Sequence, residues 1–279
     1  MSYIQSIILG ILQGVAEFLP ISSSGHLAVA QKMMGLSDVP IIYDILLHVA
    51  SLFVVLFYFR KLIVRLFIVL FRWIGRRSKS EDNQDLLMIL GVIIATIVTF
   101  IGYLLLKAIF KNRIDEMKEN LGFVYSFFLV TALILIVQRF VRFSKKASYG
   151  ISLGQSFAVG FAQILGLFPG ISRSGSTISA AVLCGVNQEK AGELSFLISI
   201  PAIVGSLVFK LKDLKEYISV SGGATIEIPV LIVGMVCALI SGMIAFPLLL
   251  KILKRDQLWY FSFYLIFLGV IGLTLNYFF

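Results

Sequence analysis

Charge is what this sequence has least of. Of its 279 residues, 24 are Lys or Arg and 15 are Asp or Glu, 14% together, where a soluble domain carries roughly 25%. With 59% hydrophobic residues and a mean hydropathy of +0.98, a water-soluble fold is excluded. Cysteine is almost absent. Cys184 and Cys237 stand apart inside apolar runs, so they read as small buried hydrophobes and not as disulfide or metal ligands. There is no Asp-rich cluster and no His-x-x-x-His spacing, and the only histidines are His26 and His48, which argues against a metal cage built from protein alone. No Lys or Arg precedes Lys32. The apolar N-terminus thus lacks the basic region of a secretory signal and is expected to stay in the mature protein.

What is present is long apolar runs. A membrane-spanning helix needs ~20 such residues, and six runs qualify: 41–59, 86–106, 121–137, 194–209, 226–250 and 258–279. Residues 1–279 therefore read as one polytopic membrane domain. Two further apolar regions are interrupted. Ile7 to Ala30 is broken at Pro20 by PISSSGH, and Phe157 to Val186 at Pro169 by PGISRSG. The pieces, about 13 and 10 residues long, reach only part of the way across a bilayer at ~1.5 Å per residue. Paired short helices joined by a polar turn read as re-entrant hairpins, whose irregular backbone needs cover from protein or a wet cavity. The segment 62–74 carries Arg65 and Arg72 inside its apolar run and is expected to lie at the membrane interface.

The broken regions also match each other. Shifting by 150 positions superposes Gln5 to Gly25 on Gln155 to Gly175, with nine of 21 positions identical. Each repeat, 1–145 and 146–279, is then a hairpin followed by three transmembrane helices. Three spans are odd in number and a hairpin returns to its own side, so the repeats must be inverted, which brings both broken loops to the midplane. The fold class is all-α.

Charge placement sets the expected orientation. With the N-terminus outside, the connections 60–85, 138–150, 187–193 and 251–257 face inward and hold 15 of the 24 basic residues. The outer connections hold eight (Lys32, Lys107, Lys111, Arg113, Lys118, Lys210, Lys212, Lys215), diluted by Asp38, Asp115, Glu116, Glu119, Asp213 and Glu216. Both termini are expected outside, and the formal net charge of +9 is a topology signal and not a nucleic-acid footprint.

Glu17 and Arg173 are ionisable groups at membrane depth, each costing at least ~2.5 kcal/mol unless paired or wet, so a functional site is their default reading. Gln13 lies four residues before Glu17 and shares its helix face. Ser22, Ser23, Ser24 and His26 follow Pro20; Ser172, Arg173, Ser174 and Thr177 hold the matching place. Two hydroxyl-capped helix N-termini beside an Arg suit an anion, and two facing each other suit a diphosphate. Phosphoryl transfer would need a serine of the first loop as nucleophile, Glu17 or His26 as proton acceptor, and Arg173 for charge neutralisation. Mg²⁺ or Ca²⁺ held mainly by substrate phosphates, with Glu17 as protein ligand, is the compatible cofactor. His48, four residues after Asp44, reads first as a structural pairing, with a site role as the alternative. The inverted repeat with broken helices is also common transporter architecture.

QGVAEFLPISSSGHL (Gln13 to Leu27) and LFPGISRSGSTIS (Leu167 to Ser179) resemble the two motifs of the bacterial undecaprenyl-diphosphate phosphatases of the bacitracin-resistance type, over essentially the whole chain. That family's first motif carries Glu or Gln before the fixed Glu, and this chain has the Gln form at Gln13. The resemblance implies a plasma-membrane hydrolase that removes the terminal phosphate of undecaprenyl diphosphate at the outer face. The product is the lipid carrier for peptidoglycan and the wider cell wall, and resistance to bacitracin follows. It implies a divalent cation, Ser23 as nucleophile, Glu17 and His26 as an acid/base or metal-assisting pair and Arg173 as phosphate clamp. Gln13, Ser22, Ser24, Ser172, Ser174 and Thr177 are then further phosphate ligands. The expected partners are a polyprenyl diphosphate and membrane lipids; a homodimer is compatible with it, and the alternative function is a transporter or polyprenyl-phosphate flippase. The acid-phosphatase-like lipid phosphatases also use Ser-Gly-His and Ser-Arg, but they need a histidine after the Ser-Arg, and none follows Arg173.

Overall fold

A computed structural model describes residues 1–36, 39, 41–110, 113–141, 151–221 and 227–278, without the side chains of 41, 114, 115 and 210–221. Among them there is no β-strand. The helices are α1 (Tyr3–Ala16), α2 (Ser23–Met33), α3 (Ile41–Ile74), α4 (Asn83–Phe110), α5 (Arg113–Glu119), α6 (Leu121–Phe140), α7 (Leu153–Leu165), α8 (Arg173–Leu183), α9 (Gln188–Ser221), α10 (Ile228–Lys254) and α11 (Phe261–Phe278). Five segments are long and apolar enough to cross a membrane: Ser80–Phe110, Leu121–Phe140, Gln188–Phe209, Ile228–Lys254 and Leu258–Phe278. The chain is a multi-pass helical membrane protein.

The remaining expected span, 41–59, is the first part of α3. Residues 62–74, expected at the interface, continue that helix through all its 34 residues; at ~1.5 Å per residue it is longer than a ~30 Å hydrocarbon core. No Gly or Pro interrupts 41–74, and its basic side chains Arg65 and Arg72 are paired. Arg65 bonds Asp85 at 2.9 Å and Arg72 bonds Asp82 at 3.1 Å across the turn into α4. Leu66 and Val69 are buried from the same stretch.

The interrupted regions do form hairpins of short helices. α1 and α2 have 14 and 11 residues, α7 and α8 have 13 and 11, so at ~1.5 Å per residue none exceeds about 21 Å, short of a ~30 Å hydrocarbon core. The same local bonds start both. Ser2 with Gln5 and Ser152 with Gln155 form capping boxes, and the Gln5 and Gln155 side chains donate to the carbonyls of Met34 and Cys184 where each hairpin returns. α1 packs on α10 and α7 on α4, while α6 packs on α11. Small residues permit these approaches. A side chain at Gly10 or Gly14 would meet α10 backbone at Gly234 and Ala238, and one at Gly160 would meet Ala95 of α4.

The two loops part company at the turn. Gly170 occupies the left-handed region with φ 105°, whereas its counterpart in the repeat is Pro20, whose ring fixes φ near −65°. The reversal is instead made by Ser22, at φ 69°, a conformation that costs a non-glycine residue of order 1–3 kcal/mol. Of the charges used for orientation, Asp38, Lys111, Arg142, Lys145 and Lys146 lie outside the described residues, as do the side chains of Asp115, Lys210, Lys212, Asp213, Lys215 and Glu216.

Candidate active site

Both hairpin turns meet in the interior. Ser174 Oγ on the second loop donates towards the carbonyls of Phe18 and Leu19 on the first, at 3.3 and 3.4 Å. Thr131 of α6 holds the second loop from behind, donating to the Gly170 carbonyl and accepting from the Ser172 N–H, both at 3.0 Å. The N-termini of α2 and α8 are thereby fixed beside one cavity of about 330 Å³. Ser22 and Ser172 cap these helices through the N–H groups of Gly25 and Gly175. The N–H groups of the first turn, which have no intrahelical acceptor, leave each terminus electropositive.

Glu17 is the centre of the polar network. Its Oε1 accepts from Arg173 Nη2 at 2.7 Å, and its Oε2 accepts from Ser23 Oγ at 2.6 Å and from Gln13 Nε2 at 3.1 Å. The pair is sheltered, with side-chain exposures of 18% for Arg173 and 8% for Glu17. Arg173 Nη1 is buried and has no hydrogen-bond partner. An orphaned guanidinium nitrogen beside a polar cavity is a ready donor for an anion's oxygen, because leaving it unmatched is costly.

The structure brings most of the expected residues to the cavity wall: Glu17, Ser22, Ser23, Ser24, Ser172, Arg173 and Ser174 all line it. Ser22 and Ser24 hydroxyls sit 3.3 Å apart, and so do those of Ser172 and Ser174. Three expected residues are not on the wall. Gln13 lies behind Glu17 and also donates to Ser51 Oγ at 3.3 Å, so it supports the carboxylate instead of facing a ligand. Thr177 Oγ1 is used by the Arg173 carbonyl at 2.8 Å and Ser195 Oγ at 2.6 Å. His26 is turned away, with Nδ1 2.9 Å from the Ser22 carbonyl oxygen and Nε2 2.7 Å from the Tyr264 hydroxyl.

The cavity is also lined by Asp44, His48, Lys118 and Ser206 with apolar Ile45, Ala202, Ile203 and Leu207; of these, sequence reasoning offered only His48, as an alternative, and missed the rest. Lys118, counted above as a charge of an outer connection, bonds Asp44 at 3.1 Å. His48 Nδ1 pairs at 2.7 Å with the Asp44 carbonyl, which makes Nδ1 the donor and leaves the other ring nitrogen for the cavity side. The i, i+4 spacing of Asp44 and His48 was a signal for one helix face, but nothing local tied that face to the broken loops.

Among the described residues no three His, Cys, Asp or Glu side chains cluster as a metal site. The donor set instead fits a hard cation held largely by phosphate oxygens and one protein carboxylate, since Glu17 Oε1 accepts a single hydrogen bond and retains a lone pair.

This arrangement can bind a phosphate group against two helix ends and a guanidinium, and present to it a hydroxyl bonded to a carboxylate. Residues 6–271 match the family described as bacitracin resistance protein BacA. The chain is 46% identical over 275 residues to a protein of Treponema denticola named undecaprenyl-diphosphatase, covering 99% of this chain and 97% of that one. It is 38% identical over 265 residues to a Borrelia hermsii protein of the same name, covering 94% of each. A Methanobrevibacter smithii protein, again so named, is 36% identical over 279 residues, with 97% of this chain and 96% of that one covered. The chain therefore belongs to the bacitracin resistance protein BacA family.

Proposed function

We propose that this protein is a membrane phosphatase that hydrolyses undecaprenyl diphosphate to undecaprenyl phosphate and inorganic phosphate. The observation that carries the reading is the Ser23–Glu17–Arg173 constellation: a serine hydroxyl 2.6 Å from a carboxylate whose other oxygen holds an arginine at 2.7 Å. The names of the relatives supply the lipid substrate, and the apolar side of the cavity, Leu167, Ile203 and Leu207, suits the first isoprene units.

In this reading the terminal phosphate lies against the N-termini of α2 and α8, and Arg173 Nη1 takes one of its oxygens. Ser23 Oγ attacks the phosphorus while its proton passes to Glu17 Oε2. The bond to the bridging oxygen breaks, and its electron pair leaves with the lipid monophosphate. Water then attacks the phosphoserine, releasing phosphate, and Glu17 returns its proton to Oγ. Arg173 and the helix dipoles stabilise the charge that accumulates on the equatorial oxygens. Glu17 would be the protein ligand of a divalent cation, which would supply neutralisation of part of that charge.

The site is proposed to open at the outer face of the plasma membrane, with both termini outside. Support comes from Asp44 and Lys118, which line the cavity and belong to the end with the smaller excess of positive charge. Turnover would then return the lipid carrier to cell-wall synthesis and deprive bacitracin of the diphosphate.

The test uses purified protein in detergent with Mg²⁺ or Ca²⁺ and a polyprenyl diphosphate, where no second membrane face exists. Phosphate release that is lost in Arg173→Ala is expected. No release, or full release by Arg173→Ala, overturns the proposal, whereas lipid movement across proteoliposomes that survives Ser23→Ala would point to transport.

A further inference from the structure

The mechanism leaves two features of the first loop without a purpose: a strained Ser22 and a histidine that faces away from the cavity. Ser22 is buried and left-handed, with φ 69° and ψ 96°. It immediately precedes Ser23, so its dihedrals aim the Ser23 side chain. Strain of this kind persists only where the surroundings over-determine it.

Ser22 Oγ accepts from the Gly25 N–H and its carbonyl accepts from the His26 backbone N–H, as at any capped helix start; the His26 ring adds a contact to that carbonyl. His26 is 7% exposed, with its ring 4.9 Å from that of Phe128 and 5.7 Å from that of Tyr264. A carbonyl oxygen can only accept, so the 2.9 Å contact to Ser22 O assigns the proton to Nδ1. In the neutral ring Nε2 is then an acceptor, and the Tyr264 O–H, 2.7 Å away, donates to it. The one lone pair with which His26 could take a proton from Ser23 is occupied, while Ser23 Oγ already donates to Glu17.

The second loop provides an internal comparison. There the turn is made by Gly170, which adopts φ 105° with little cost. The position matching His26 is Ser176, whose buried Oγ has no partner. The second loop is held differently, by Thr131 of α6 through the Gly170 carbonyl and the Ser172 N–H, and no ring at the Ser176 position reaches its capping serine's carbonyl.

We infer that His26 and Tyr264 are positioning residues: a chain of hydrogen bonds from the Tyr264 hydroxyl through His26 to the Ser22 carbonyl holds the left-handed turn that presents Ser23 to Glu17. Tyr264 lies on α11, 238 residues from His26, so the last helix sets the geometry of the first loop. This inference rests on the proposed phosphatase reading for its kinetic consequences, though not for its structural ones.

Asparagine places an amide nitrogen where Nδ1 lies and can donate to Ser22, but it cannot carry a proton through a catalytic cycle. Phosphate release by the purified full chain from a polyprenyl diphosphate with Mg²⁺ should therefore separate His26→Asn from His26→Ala. His26→Ala should lose about 100-fold in kcat, as misplacement of a reacting group does, while His26→Asn, which keeps the Ser22 bond but not the Tyr264 one, and Tyr264→Phe should each lose only about 10-fold with KM within about twofold. His26→Asn as inactive as His26→Ala, or Tyr264→Phe with unaltered kcat, overturns the inference. If the unaltered protein releases no phosphate, the phosphatase reading fails separately. The clamp is then judged by amide hydrogen exchange over 21–26, which Tyr264→Phe and His26→Ala should accelerate at least about 10-fold; unchanged exchange overturns it.

Discussion

Glu17 accepts three side-chain hydrogen bonds from three partners, and its removal should be felt in two separate ways. As proton acceptor it should be needed for turnover: Glu17→Gln keeps the shape, and kcat for phosphate release is expected to fall about 10²–10⁴-fold. As counter-ion it keeps Arg173 tolerable in a sheltered site. Glu17→Ala should cost about 3–5 kcal/mol because a lone buried charge remains, seen as a lower midpoint of thermal unfolding in detergent. The double variant Glu17→Ala/Arg173→Ala removes both charges and should regain much of that stability with no activity. A double variant no more stable than Glu17→Ala would show that the pair is not coupled. Lys118 belongs to the same scale and lines the same cavity. It is 37% exposed and bonded to Asp44, so its contribution is that of a solvent-screened charge, and Lys118→Ala should raise KM by roughly fivefold with kcat nearly unchanged.

At the scale of elements, the hairpin turns carry the most exacting geometry. Gly170 combines φ 105° with a close neighbour: an added Cβ would lie 2.8 Å from that of Phe127. Gly35, also left-handed at φ 67°, has nothing within 4 Å of such a Cβ. Gly170→Ala should therefore lower the unfolding midpoint and disrupt the seat of Arg173, whereas Gly35→Ala should show only the strain of order 1–3 kcal/mol and keep turnover. Equal effects of the two on phosphate release would remove the second loop's turn from the account. These hairpins were legible in the sequence because their signals are local: Pro20 and Pro169 end helices, and Ser22 and Ser172 cap the next ones. The length of α3 was not legible. Arg65 and Arg72 pair with Asp85 and Asp82, and pairing across a turn has no periodicity to betray it. The orientation of His26 was not legible for the same reason. The residue type and its place in the motif suggested chemistry, but its orientation depends on Tyr264, which no local pattern connects to it.

The whole molecule uses its repeat asymmetrically. The 150-residue shift that matches nine positions between the hairpins sets Ser23 opposite Arg173 and Glu17 opposite Leu167. One half thus supplies a hydroxyl and a carboxylate, and the other supplies the positive charge and an apolar wall. Ion pairs also join charges that the sequence had grouped by side. Arg139 bonds Asp256 at 2.9 Å, and both come from connections assigned inward. Asp44 bonds Lys118, from the end assigned outward. The excess of Lys and Arg on the first group predicts which end faces the cytoplasm. In a variant lacking Cys184 and Cys237, a single cysteine at exposed Arg77 should resist a membrane-impermeant thiol reagent added to intact cells. One at exposed Glu119 should react before the cells are opened. Because Glu119 ends the short helix that carries Lys118, labelling there also reports the side on which the cavity opens. The reverse pattern, Arg77→Cys labelled from outside and Glu119→Cys protected, would turn the molecule over and put the site on the cytoplasmic face. A diphosphate delivered from outside could not reach it there.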